Sequence, residues 1–356
     1  MTQYLSDKLR VMSLLAILFV LYIHSGFHAD EIQGMVVNGR VQEFVSGMMG
    51  RCAVPLFYVI SGYLFFLKVP DGMKSIYGKM KKRVRTLLVP YLIGCLFFVG
   101  FLALVECMPF TSRFMNTGIM PLFQKSIGNV LCSIFFDAGN GSPCAFQLWF
   151  LRNLILIVAT SPVWYVCLKR LGWTFVAVVF VLNFVDMSYN PFYSLFWFVL
   201  GGQLVKYGRV FGGGNSEKSL AKRIGALCLI VFICLSFCQL FLPTIAKWEM
   251  LRIPIIMIGI IGVWWLYDAV AGGDFSLTNH RWVGTACRFT FFIYLFHEPT
   301  LNIVRKLIVV VLGKNEVGYM VSYLLSPWIF AVCAVLIGMV LRRYCGRVYE
   351  VCVGGR

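Results

Sequence analysis

Apolar residues along this chain come in long blocks, not at alternate positions and not on one stripe of a helix. Ten such blocks, at 11–27, 52–66, 86–105, 145–168, 173–185, 191–205, 224–242, 253–270, 289–304 and 319–341, each carry at most one Asp, Glu, Lys or Arg. A bilayer core takes about 20 apolar residues per helix, and a helix closes its own backbone hydrogen bonds there. The pattern predicts an all-α polytopic membrane protein, a bundle of about ten transmembrane helices that forms a single domain over 1–356. The ninth block is the weakest, because Arg305 and Lys306 interrupt it before 307–312 turns apolar again. A basic stretch precedes the first block, as in a secretory signal, but no small-residue cleavage site follows Phe27, so the segment is read as helix 1.

Composition agrees with that reading. Hydrophobic residues make up 60% of the 356 and charged residues only 13%, with a mean hydropathy of +0.81; a soluble domain carries about 25% charged residues. The net charge of +17 sits in short clusters between apolar blocks, where anionic lipid headgroups account for it without nucleic acid. With the N-terminus placed in the cytoplasm, 22 of the 32 Lys and Arg fall on the inner side and six on outer loops, so both termini are predicted inside the plasma (inner) membrane. The densest inner cluster, at 79–85, has two readings: an anchor to anionic lipid, or attraction for a polyanionic cytosolic cosubstrate such as a nucleotide-bearing thioester. The Gly-rich stretch 212–219 reads as a turn, since it lacks the lysine spacing of a phosphate loop. The long polar stretch 106–143 is expected to face outward and cover a site from that side. The thirteen cysteines lie mostly inside apolar blocks, with no CxxC pair and no ligand spacing, so no metal site is expected.

An ionisable side chain at membrane depth is costly, so each is a functional candidate. Four stand out: His24, Arg51, Arg152 and His297. His24 is near the outer end of helix 1 and Arg51 opens helix 2 as it returns, so the two are expected to share a cavity. A neutral imidazole there is a general base or an interfacial side chain bonded to a carbonyl. Arg152, about 10 Å into helix 4, binds substrate or satisfies carbonyls. His297 is followed by Glu298 and Pro299, a local imidazole and carboxylate pair where the proline loosens the helix. Arg305 and Lys306 are expected to snorkel to an interface.

The run Arg51-Cys52-Ala53-Val54-Pro55-Leu56-Phe57-Tyr58-Val59-Ile60-Ser61-Gly62-Tyr63-Leu64 resembles the helix 2 signature of the membrane acyltransferase-3 family. Shorter likenesses follow in the family's order: Leu148-Trp149-Phe150-Leu151, then Phe196-Trp197-Phe198-Val199-Leu200-Gly201-Gly202, then Ile293-Tyr294-Leu295-Phe296-His297. The resemblance implies an integral membrane O-acyltransferase that moves an acetyl or other acyl group from acetyl-CoA to a hydroxyl. The acceptor it implies is a cell-surface or envelope carbohydrate or its lipid-linked precursor. No permanently bound cofactor is implied, and the partners are acyl-CoA, the glycan acceptor and membrane lipids. His24 maps to the family's proposed base, Arg10 to the basic residue of helix 1, and Arg51 to the arginine before the helix 2 signature. Ser61, Arg152, Tyr294 and His297 complete the set of substrate- or donor-binding candidates. Thirteen residues separate Arg10 from His24, more than is usual in the family, which keeps His24 on nearly the same face about one turn further along. The competing class is a transporter or exporter of a glycan or small solute, which also uses intramembrane Arg and His but is often built from paired halves, and no repeat is visible here. A non-catalytic scaffold would need none of the four ionisable residues.

Overall fold

The computed structural model describes residues 2–69, 72–108, 126–136, 142–185, 190–207, 218–242, 248–271 and 277–355. Among them the architecture is all-helical. Helix α1 spans Gln3–Ser25 and α2 Val36–Gln42; a π turn and a 3-10 turn then lead without a gap into α3, Ala53–Phe66. Next come α4, Met73–Arg83, which runs through a π turn into α5, Val89–Cys107, and the short α6, Ile127–Ser133. Then follow α7, Trp149–Ala159, α8, Ser161–Leu171, α9, Trp173–Leu182, and α10, Phe192–Leu204. The last five are α11, Lys218–Phe241, α12, Trp248–Val270, α13, Arg281–Leu312, α14, Glu316–Tyr344, and α15, Gly346–Cys352.

Every apolar block falls mainly on helix, yet among the described residues fewer than ten helices have the length and composition of a span. Six do, and a seventh is reached if the bent pair α7–α8 counts as one. The expectation of about ten is not confirmed. One reason is length: α9 and α10 have 10 and 13 residues, about 15 and 20 Å at 1.5 Å per residue against a core of about 30 Å. Another is the fourth block, which bends by 68° between Ala159 and Ser161. There Thr160 turns its hydroxyl onto the carbonyls of Leu156 and Ile157 at 2.9 and 3.2 Å, and Pro162 has no N–H to continue the ladder. The third is α13, where Glu298 has φ −108° and ψ 137°. The break expected at the His-Glu-Pro sequence is present.

Of the segments singled out in the sequence, most of the stretch 106–143 and residues 212–217 of the glycine-rich turn lie outside the described residues.

Helix α1 is the central element, packed against α3, α13 and α14. Its first turns are tied to α12 by a buried ion pair, Lys8 Nζ to Asp268 Oδ2 at 2.6 Å. Tyr4 donates to the same carboxylate, and the ammonium lies 4.2 Å from the ring of Trp264. At the other end Ser326 on α14 bonds Ser25 at 3.3 Å, and Tyr22 reaches the Leu324 carbonyl at 3.2 Å. Helices α3 and α10 touch backbone to backbone. A Cβ on Gly62 would sit 1.9 Å from the Phe198 carbonyl oxygen, and one on Gly201 would sit 2.1 Å from that of Val59. The two motif glycines therefore set the closest approach in this part of the bundle.

Candidate active site

His24 lies in the last turn of α1, beside Ser25, whose partner Ser326 is seven residues inside the apolar block of α14. That places His24 about 10 Å inside that block, measured from the block's N-terminal end. Its ring is partly covered, with 18% of the side chain exposed. Three neighbours define its surroundings. The His297 ring is 4.8 Å away between centroids, the Phe146 ring 5.7 Å, and Glu298 Oε1 lies 4.0 Å from His24 Nδ1.

The broken α13 creates this arrangement. Gln147, on the 3-10 turn Phe146–Leu148 that precedes α7, donates to the Glu298 carbonyl at 3.2 Å and accepts from the Tyr294 hydroxyl at its own carbonyl at 3.3 Å. With the ladder interrupted at Pro299, His297 and Glu298 turn toward α1 instead of following the helix surface. His297 is fully buried and its Nδ1 lies 2.6 Å from the Tyr294 carbonyl. Arg305, expected at an interface, is instead 7% exposed. It donates to the Gly26 carbonyl at the end of α1 and, at 3.0 Å, to Asn302 Oδ1, where a cation complements the helix dipole. It is also an electrostatic neighbour of Glu298.

A cavity of about 630 Å³ opens at the opposite, N-terminal end of α1 and runs inward. Arg10, Arg83, Arg288 and Arg342 line it, with Ser61 along its wall and Tyr294 and Phe150 also lining it. A second space of about 360 Å³ shares Arg10 and Arg288 and adds Gln3, Asp7, Thr278 and Asn279. Tyr294 connects this cavity with the histidines: its ring is 5.9 Å from His297, which adjoins His24. Arg10 and His24 are 14 positions apart on α1, about 21 Å along the axis.

Of the residues singled out from sequence, Arg10, Ser61 and Tyr294 thus line one cavity, and His24 and His297 form a ring pair next to it. Arg51 and Arg152 are elsewhere. Arg51 is exposed on the 3-10 turn Met49–Cys52, at the same end of the bundle as His24, and its electrostatic neighbour is Tyr193. No contact joins it to His24 among the described residues. Arg152 is fully buried, donating to the Phe135 carbonyl at 2.9 Å and to Asn153 Oδ1 at 3.1 Å. It fastens the segment that holds α6. Arg83 belongs to the basic cluster 79–85, for which attraction of a polyanionic cosubstrate is one of two readings; Arg288 and Arg342 are not singled out from the sequence. Their shared signal is position, since each lies at the same end of the bundle as Arg10.

A family model described as an acyltransferase domain matches residues 8–343, nearly the whole chain. The chain belongs to the acyltransferase-3 family. No curated protein and no solved structure was found to match it. In this acyltransferase-family chain an imidazole sits in a partly closed site with a carboxylate facing it, and a cavity lies beside the ring pair it forms with His297.

Proposed function

We propose that the chain transfers an acetyl or related acyl group from acyl-CoA to a hydroxyl of an envelope carbohydrate or its lipid-linked precursor, in the plasma membrane and with both termini cytoplasmic. The observation that carries this reading is the cavity lined by four arginines and by Tyr294, whose ring is 5.9 Å from that of His297, itself 4.8 Å from the His24 ring. Guanidinium groups recognise phosphate oxygens through paired hydrogen bonds. The side chamber with Arg10, Arg288, Thr278 and Asn279 suits the nucleotide end of the donor. The apolar walls, with Phe57, Leu64 and Leu154, suit its arm.

In the reaction His24 Nε2 takes the proton of the acceptor hydroxyl while that oxygen bonds to the acyl carbon. Glu298, facing Nδ1 of the same ring, holds it in the tautomer with Nε2 free and stabilises the imidazolium that forms. The carbon–sulfur bond then breaks, and the imidazolium returns its proton to the thiolate, leaving an ester and free thiol. The 4.0 Å gap between Nδ1 and Oε1 closes in the complex or is bridged by water.

A transport reading draws on the two broken helices, a feature of many transporters. Purified protein in sealed vesicles separates the two. Transfer of radiolabelled acetyl from acetyl-CoA to added glycan, with no dependence on a solute gradient, supports acyl transfer; gradient-driven glycan movement without label incorporation rejects it.

A further inference from the structure

We infer that His297 selects the acceptor by accepting a hydrogen bond from a second hydroxyl, vicinal to the one that is acylated. The inference rests on the acyl-transfer reading above and adds to it the kind of hydroxyl the site takes.

The tautomer of His297 follows from its partner. Nδ1 lies 2.6 Å from the Tyr294 carbonyl oxygen, and a carbonyl only accepts, so Nδ1 carries the hydrogen and Nε2 of the neutral ring has a lone pair. That Nε2 is buried and has no hydrogen-bond partner among the described residues. A buried acceptor without a donor is costly and rare, and at a reaction centre it marks where a ligand supplies what the protein does not. Of the nearby donors, Arg305 Nη1 is bonded to Gly26, Nη2 to Asn302, and Gln147 Nε2 to the Glu298 carbonyl; Arg305 Nε is unpaired among the described residues and does not reach His297 Nε2.

His24 presents the matching half. Its Nδ1 edge faces Glu298, which leaves Nε2 as the second proton-accepting nitrogen, on a ring 4.8 Å from that of His297. Two lone pairs on adjacent rings call for two O–H donors about one hydrogen-bond length apart. Vicinal hydroxyls have that spacing. One hydroxyl gives its proton to His24 and becomes the ester oxygen; the other keeps its proton and donates to His297. No transfer step involves His297, so it is a specificity-determining residue that touches the acceptor.

The test uses the full-length protein in vesicles, radiolabelled acetyl-CoA, and the glycan fraction of the cell that natively carries the chain. One half of the glycan is left untreated and the other is oxidised with periodate and reduced with borohydride. That treatment breaks the carbon–carbon bond of a vicinal diol and leaves both oxygens as alcohols. The parent protein is expected to label untreated glycan about 10- to 100-fold faster, the loss that follows when a buried acceptor is left unpaired. His297→Asn keeps a donor for the Tyr294 carbonyl but loses the Nε2 acceptor, and it should bring the ratio to within about threefold of one. His297→Gln places an amide oxygen near Nε2 and should restore most of the ratio; should the Asn variant fail to accumulate, the Gln variant alone decides, and a ratio near one overturns the inference. A parental ratio in His297→Asn, or a parent indifferent to periodate, overturns it while leaving acyl transfer intact. Absence of label from the parent on untreated glycan overturns the acyl-transfer reading and this inference together.

Discussion

Replacing Glu298 by Gln removes one charge and little else. Gln147 binds the Glu298 backbone carbonyl at 3.2 Å, so that anchor survives, and the side chain keeps its shape. What disappears is a carboxylate 4.0 Å from His24 Nδ1. Two unit charges at 4 Å interact by about 4 kcal/mol at an effective dielectric constant of about 20. This matters only while the imidazolium exists, that is, in and after the transition state. Taking roughly half to all of it as transition-state stabilisation gives about 2–4 kcal/mol, or roughly 30- to 1000-fold in kcat. The KM for acyl-CoA should hardly move, because Arg288 lies ten positions away on α13, about 15 Å along the axis. Initial rates of thiol release from acetyl-CoA, with saturating glycan in vesicles, measure both constants. A kcat within threefold of the parent would refute the role given to Glu298, as would an effect confined to donor KM.

Three further outcomes follow from the same structure. Arg288→Ala combined with Arg342→Ala should raise the KM for acyl-CoA about tenfold or more with little change in kcat, and the effect should shrink as salt rises, as read from KM at two ionic strengths. Gly62→Ala must move α3 and α10 apart, because its Cβ would meet the Phe198 carbonyl oxygen at 1.9 Å; thermal unfolding in detergent should show a loss of about 1–3 kcal/mol, and an unchanged midpoint would contradict the packing described. Lys8→Met alone leaves the Asp268 carboxylate without its ammonium and should destabilise by about 3–5 kcal/mol, whereas Lys8→Met with Asp268→Leu should recover most of that loss in the same assay.

Much of this was legible in the sequence because apolar blocks and prolines act locally. Each block became helix, and the break at His297-Glu298-Pro299 appeared where proline removes a donor. His24 was marked by its depth, and Arg10, Ser61 and Tyr294 by their places in motifs, and these three line one cavity. Other features depend on contacts between distant segments. The 68° bend at Thr160 needs both Pro162 and a hydroxyl folded back on its own helix, and inside one long apolar block it left no visible boundary. Whether Arg305 reaches an interface or the end of α1 is decided by where Gly26 lies. Arg83, Arg288 and Arg342 come from three helices, so their convergence with Arg10 is a property of the packing. Arg51 shows the converse, since its place before a strong motif suggested a partnership with His24, while its side chain is exposed and neighbours Tyr193.

The central claim is that His24 takes the proton of the acceptor hydroxyl. It is tested most directly by measuring, on His24→Ala in vesicles, both acetyl transfer to glycan and binding of acetyl-CoA. The account predicts transfer at background with donor affinity within about threefold of the parent, since the arginine-lined cavity is untouched. Transfer at the parental rate by protein that accumulates normally would contradict it.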